Sequence, residues 1–208
     1  MIFDFHHHHK IPDYEGVYNK SVQEEFSPEF YSIGLHPQDI NEDWESVIEK
    51  VHTAAKASNC LSIGECGLDA FVNTSIEEQI KVFKSQIAIA EELQKPLTIH
   101  CVRRYNEVIT VCKGVRIPKI IHGFNKRETI ATQLLQNGFY LSFGASLLNN
   151  LSLQKIFQQI PKESFVLETD TADISIEMLY EKAAMVRGTS IMELENIVDY
   201  NLKTIFRW

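Results

Sequence analysis

The stretch LSIGECGLDAFVNTSIEEQIKVFKSQIAIAEELQKPLTIH, residues 61–100, decides the fold. Its two ends, 61–64 and 97–99, are short apolar runs of the kind found in buried strands, and its middle is helical. Ser75 followed three residues later by Glu78 forms a capping box. Beyond it Ile76, Ile80, Phe83, Ile87 and Ala90 recur at steps of four and three, which puts them on one face of a 3.6-residue period. Strand, helix and strand in one such run read as a βαβ unit, the crossover that parallel strands require.

The same alternation extends in both directions. Further strands are expected at 2–5, 30–35, 119–121, 139–142 and 165–167. Helices are expected from a cap at Asn41 through about 57, over 126–136 with a stop at Asn137-Gly138, over 175–186 and over 191–206. Gly188 separates the last two, and Ser190 with Glu193 forms a second capping box. This pattern implies an α/β fold with a parallel sheet, either an open doubly wound sheet or a closed (β/α) barrel. No G-x-G-x-x-G run follows the first strand, so a dinucleotide-binding sheet loses support. The length of 208 residues is that of a single domain, 1–208. Segment 10–29 interrupts the alternation and carries at most a short irregular strand near 16–18.

Composition removes several classes. No window approaches ~18 uninterrupted apolar residues, so a membrane span is not expected, and the polar N-terminal region lacks the apolar core of a signal peptide. Cys60, Cys66, Cys101 and Cys112 contain no C-x-x-C pair and are expected to be reduced thiols of a cytoplasmic protein rather than a zinc ribbon. Lys and Arg number 20 against 28 Asp and Glu, a formal charge of −8, which argues against a broad basic surface tracking a nucleic-acid backbone. A nucleic-acid substrate stays open, because a local metal site can reverse the field where it acts.

The chemistry lies in the residues just beyond each strand. The first leads into His6, His7, His8 and His9, the second ends at His36, the third at Glu65, and those at 97–99 and 119–121 at His100 and His122. The strand at 165–167 runs into Glu168-Thr169-Asp170. In parallel α/β folds the C-terminal strand ends converge on the ligand-binding face. Imidazoles and carboxylates gathered there suit zinc, manganese and similar divalent ions. His6 and His8 are two apart and point to one side of an extended strand. Two divalent ions set against Glu65 and Asp170 leave a positive pocket in an acidic protein, which would draw an anionic ester. The four consecutive histidines follow a β-type run and Asp4, unlike an appended tag. His7 and His9 are expected to face solvent or to neighbour the ligands, and Glu168 to hold a ligand or cap a turn rather than bind metal itself.

Taken together these pieces resemble the TatD family of metal-dependent hydrolases, part of the amidohydrolase superfamily of (β/α) barrels. The matching residues are Asp4-Phe5-His6-His7-His8, Gly34-Leu35-His36-Pro37, Gly64-Glu65-Cys66-Gly67-Leu68-Asp69, Gln79 and Gln86, Pro96 with Ile99-His100, Ile121-His122-Gly123-Phe124, Gly138-Phe139-Tyr140-Leu141-Ser142, Leu167-Glu168-Thr169-Asp170, and the closing Asn201 with Ile205-Phe206. They span nearly the whole chain in order.

The resemblance implies a TIM-like barrel and two divalent metal ions (zinc, manganese or magnesium). It places His6, His8 and Asp170 on one ion and His100 and His122 on the other, with Glu65 as bridge and Asp170 also orienting or deprotonating the attacking water. The implied activity is hydrolysis of phosphodiester bonds, with DNA as the family substrate, and no protein partner is implied. His36, Arg103 and Lys126 are the substrate-contact candidates.

Three departures from the family pattern stand out. Only about 25 residues separate H-x-H from the G-x-H-P strand, so one βα unit is expected to be missing and the barrel to be seven-stranded or partly open. Arg103 lies one step later than the common H-x-R. The loop after Asp170 runs almost directly into the helix at Ser175, which reduces the wall usually built there. The same metal chemistry serves amide and carboxylic ester hydrolysis, and a metal-binding protein without turnover is the reading from another class.

Overall fold

Two glutamines set seven residues apart on one helix do much to position the strands of this protein. Ser75 accepts the Glu78 N–H at 3.2 Å and opens helix α2 (Ile76–Leu93), whose buried face carries Val82, Phe83, Ile87, Ile89 and Ala90 together with Gln79 and Gln86. Seven residues are two turns, so both amides emerge from the same face. Gln86 accepts the Leu35 N–H at 2.7 Å and donates to the Leu35 carbonyl at 3.0 Å. Gln79 accepts the Asp69 N–H at 2.8 Å and donates to the Asp69 carbonyl at 3.1 Å. Each clamp fixes the backbone at or next to a candidate site residue.

The computed structural model describes residues 2–10, 12, 14–25 and 28–208. The chain forms two compact units, 1–17 with 122–208, and 18–121. Strands β1 (Asp4–His7), β2 (Gly16–Lys20), β3 (Tyr31–Ile33), β4 (Cys60–Asp69), β5 (Leu97–Val102), β6 (Lys119–Ile121), β7 (Phe139–Phe143) and β8 (Phe165–Leu167) follow one another in the sheet in chain order. The pairs β2–β3, β3–β4, β4–β5, β5–β6 and β7–β8 are parallel. At the other edge of the order, the segment after β8 returns to β1: Asp170 N–H donates to the His6 carbonyl, and His8 N–H to the Asp170 carbonyl, both at 3.0 Å. Sequential parallel strands whose last member meets the first are the arrangement of a TIM-like (β/α) barrel.

In the unit 18–121, α1 (Trp44–Ala55) and α2 accompany β3 and β4, and α3 (Tyr105–Val111) follows β5. Its core is formed by Ile33, Val51, Ile63, Leu68, Phe83, Ile99 and Ile120, all inaccessible or nearly so. In the other unit, α4 (Glu128–Gln136), α5 (Ser146–Asn149), α6 (Leu151–Gln159), α7 (Ile176–Arg187) and α8 (Ile191–Phe206) surround β7, β8 and β1. Phe5 stacks on Phe206 at 6.0 Å, and Phe143, Phe157 and Phe165 form an edge-to-face series. Strand β8 is buried at every position, as expected of a parallel strand covered on both faces.

Three expectations are corrected. The shortened N-terminal region does not cost a strand. Gly16–Lys20 is β2, and among the described residues the sheet has eight members and no helix separates β1 from β2 or β2 from β3, so what is missing is helical. Residues 11, 13, 26 and 27 of the irregular segment 10–29 lie outside the described residues. The strand expected at 61–64 runs to Asp69, with a register irregularity against β5 between Ile63 and Cys66. Glu65 therefore sits inside a bulge instead of beyond a strand end, and bulges re-aim side chains in this way. Gly67 permits β4 to continue: at φ +139° a Cβ would lie 2.0 Å from the His100 carbonyl oxygen. Finally, α1 starts at Trp44 with Asp43 at its N-cap rather than Asn41, whose side chain accepts the Asp43 N–H at 2.9 Å ahead of the helix.

Candidate metal centre

Each compact unit carries one set of imidazoles facing carboxylates. In the first, β1 delivers His6 and His8, and the turn after β8 delivers Asp170. Their ligand atoms lie within 4.8 Å of one another. His6 Nε2 is 3.8 Å and His8 Nε2 3.5 Å from Asp170 Oδ1. His6 is fully buried, while Asp170 is 37% accessible in its side chain and so reachable by solvent or substrate. Asp170 sits at φ +54°, a left-handed conformation that Asp tolerates better than most residues and that recurs at functional sites. The His122 ring lies 4.8 Å from that of His6.

Around this set stand two buried carboxylates. Glu168 is 3.6 Å from His122 Nδ1, accepts the Gly123 N–H at 2.5 Å and accepts the Ser142 hydroxyl. Burial works against its charge, but His122, His6 and Ser142 together hold its carboxyl below the ordinary range. Glu168 thus faces a ligand candidate. Asp4 accepts from Thr169 and from the His6 N–H. Of the two places expected for His7, the structure excludes solvent, and its backbone pairs with Asp170. His7 is buried, with its ring beside Tyr14 and parallel to that of His9, and burial pushes its imidazole down to about 4.

In the second set, the bulge of β4 presents Glu65, β5 presents His100, and the chain after β3 presents His36. His36 Nε2 and His100 Nδ1 each lie 3.8 Å from Glu65 Oε2, and the two rings are 4.3 Å apart. His36 Nδ1 meanwhile accepts the Gln38 N–H at 3.1 Å and caps the short turn at Pro37–Asp39, so it supports the turn and faces the carboxylate at once. Asp69 Oδ2 is 3.0 Å from His100 Nε2. Burial of Asp69 raises its carboxyl, but the Phe71 N–H and His100 outweigh this and hold it low. Asn19 on β2 was not singled out in the sequence. Its Nδ2 donates to Glu65 Oε1 at 3.0 Å, and its Oδ1 accepts the Glu65 N–H at 3.2 Å and the Ser32 hydroxyl at 3.3 Å. An amide on an irregular strand gave no motif by which to find it.

These separations test the fit to a metal. At 3.5–3.8 Å the imidazole–carboxylate pairs are too long for hydrogen bonds. Two donors on one tetrahedral ion, each at about 2.0–2.2 Å, sit roughly 3.4 Å apart, close to what is observed. Neutral imidazole and carboxylate are the donor chemistry of zinc, manganese and related ions. Asp69, at hydrogen-bond distance behind His100, is the carboxylate support that ligating histidines commonly have, while Glu168 faces His122 at 3.6 Å. The four cysteines are free and buried, and none joins either set. Arg103 is exposed just past β5, and Lys126 is exposed ahead of α4. No helix among the described residues is long and apolar enough to cross a membrane.

The profile of the family described as TatD related DNase matches residues 8–207. The chain is 26% identical over 203 residues to the uncharacterized metal-dependent hydrolase YabD of Bacillus subtilis, covering 88% of this chain and 80% of that protein. It is 31% identical over 164 residues to the 3'-5' ssDNA/RNA exonuclease TatD of Pectobacterium atrosepticum, covering 76% of this chain and 63% of that one. The crystal structure of YJJV, a TatD homolog from Escherichia coli, superposes with a TM-score of 0.83 at 17% identity, covering 100% of this chain and 98% of that one, a likeness of fold.

Proposed function

The chain belongs to the TatD related DNase family, and from that premise we propose that it is a single-domain, divalent-metal-dependent hydrolase of phosphodiester bonds, with nucleic acid as its leading substrate. Relatives bearing metal-dependent hydrolase and exonuclease names support the reading. The observation that carries it is the spacing of imidazole nitrogens from carboxylate oxygens among the proposed ligands, His6 and His8 from Asp170 and His100 from Glu65, 3.5–3.8 Å.

The ligands are His6, His8, Glu65, His100, His122 and Asp170, for two ions of zinc, manganese or magnesium. When bound, such ions would activate water and neutralise charge on the phosphoryl oxygens. The remaining work falls to the chain. Asp170, accessible and flanked by imidazoles, accepts the proton of the attacking water. Asn19 holds Glu65 in one rotamer. Asp69 fixes the ring of His100, and Glu168 places a negative charge beside that of His122. His36, Arg103 and Lys126 are the groups that meet the phosphate, Arg103 through a planar fork suited to it.

The test is a substrate panel on the purified protein with added Mn²⁺, Mg²⁺ or Zn²⁺. A labelled single-stranded oligonucleotide and bis(p-nitrophenyl) phosphate are expected to be cleaved, and chelation to abolish cleavage. Turnover of p-nitrophenyl acetate with neither diester cleaved would replace this reading by acyl hydrolysis. Retained metal with no turnover of any ester would leave a metal-binding protein.

A further inference from the structure

Immediately beyond Asp69 the chain exposes a large aromatic ring. Phe71 is 68% accessible, the Arg103 guanidinium lies over its face at 4.7 Å, and both follow strands that carry candidate ligands. A single exposed phenylalanine is ordinary by itself. Three observations make this one part of the site. First, Asp69 Oδ1 accepts the Phe71 N–H at 2.7 Å while Oδ2 of the same carboxylate meets His100 at 3.0 Å, so one side chain ties the aromatic residue to a ligand candidate. Second, Arg103 is held at φ +55°, a left-handed conformation disfavoured for a residue with a long side chain, three positions past His100. Third, the backbone between them is paired, with Ala70 N–H donating to the Val102 carbonyl at 3.0 Å, which fixes the spacing of ring and guanidinium.

We propose that Phe71, backed by Arg103, is a stacking platform for an unpaired nucleobase of the substrate strand, with the guanidinium also serving the adjacent phosphate. An aromatic face with a guanidinium beside it recognises any base by its π-surface, whereas a base held inside a duplex presents no free face to it. In a chain of net charge −8, such contacts supply affinity that diffuse charge does not. The platform rests on the phosphodiester reading and adds to it a positioning residue that selects unpaired strands.

The experiment compares two ligands with the same backbone: oligo(dA) of about ten nucleotides, and a strand of equal length made of abasic deoxyribose phosphate. Both carry phosphorothioate links that resist cleavage, and binding is read by fluorescence anisotropy with Mn²⁺ present. The intact protein is expected to prefer the base-bearing strand by about tenfold or more. Phe71→Ala should bind both strands alike, Phe71→Trp should restore the preference, and Mn²⁺ retention should be unchanged in each. A preference that survives Phe71→Ala, or its absence from the intact protein, overturns the platform. Cleavage of oligonucleotides without any base preference would leave the hydrolase reading standing and sink this one. A base preference that depends on Phe71 in a protein that cleaves nothing would do the reverse.

Discussion

Asp4 and Thr169, 165 positions apart, are joined by one carboxylate: the Thr169 hydroxyl donates to Oδ2 at 2.6 Å and the Thr169 N–H to Oδ1 at 3.1 Å. Oδ1 also accepts the His6 N–H at 3.2 Å. A single buried side chain thereby sets the position of His6 against Asp170, the residue that follows Thr169. Burial pushes the Asp4 carboxyl up from 3.8 to about 7, against the pull of those hydrogen bonds. The folded state therefore holds this proton more tightly than the unfolded chain does. Its effect on stability is most favourable below the unfolded value near 3.8 and is lost as pH rises towards 7. Asp4→Asn keeps an acceptor for both N–H groups and removes the titration. In metal-free protein, urea unfolding across this range should show stability falling less with rising pH in the variant than in the parent, and identical pH profiles would refute the assignment.

Asn19 grips Glu65 by both ends of its amide. Removing it frees the carboxylate without altering the donor set. Asn19→Ala should reduce Mn²⁺ affinity or turnover by about 10–100-fold, measured by metal titration and initial rates. Circular dichroism should be unchanged.

Gln86 is fully buried and satisfies both backbone groups of Leu35, next to His36. Gln86→Leu conserves size but strands that N–H and carbonyl, and should cost about 2–4 kcal/mol in denaturant unfolding. A cost near zero would show that the clamp is replaceable by water.

Asp170→Asn keeps an oxygen donor but removes the base. Turnover should drop by about 100-fold or more while KM for an oligonucleotide changes little. Full activity in this variant would exclude Asp170 as the proton acceptor.

Much of this was legible from local signals. Ser75 and Ser190 do cap their helices, accepting the N–H groups of Glu78 and Glu193 at 3.2 Å, because a cap depends only on residues three apart. The strands at 119–121 and 165–167 lie where their apolar runs placed them. Elsewhere local pattern and tertiary pairing part company. The strand at 61–64 continues to Asp69 because β5 pairs with it past the bulge, and β2 exists because β3 pairs with it, though 16–20 has weak periodicity of its own.

The amino-acid sequence by itself determined the alternation of strands and helices and the inventory of histidines and acids near their junctions, since these follow from periodicity and capping within a few residues. Only the tertiary structure decided who faces whom: Asn19 and His36 against Glu65, Asp69 behind His100, Asp4 across to Thr169. Those pairings depend on strand register and on bulges, which are fixed by backbone hydrogen bonds between segments far apart in the chain, so no window of sequence contains them.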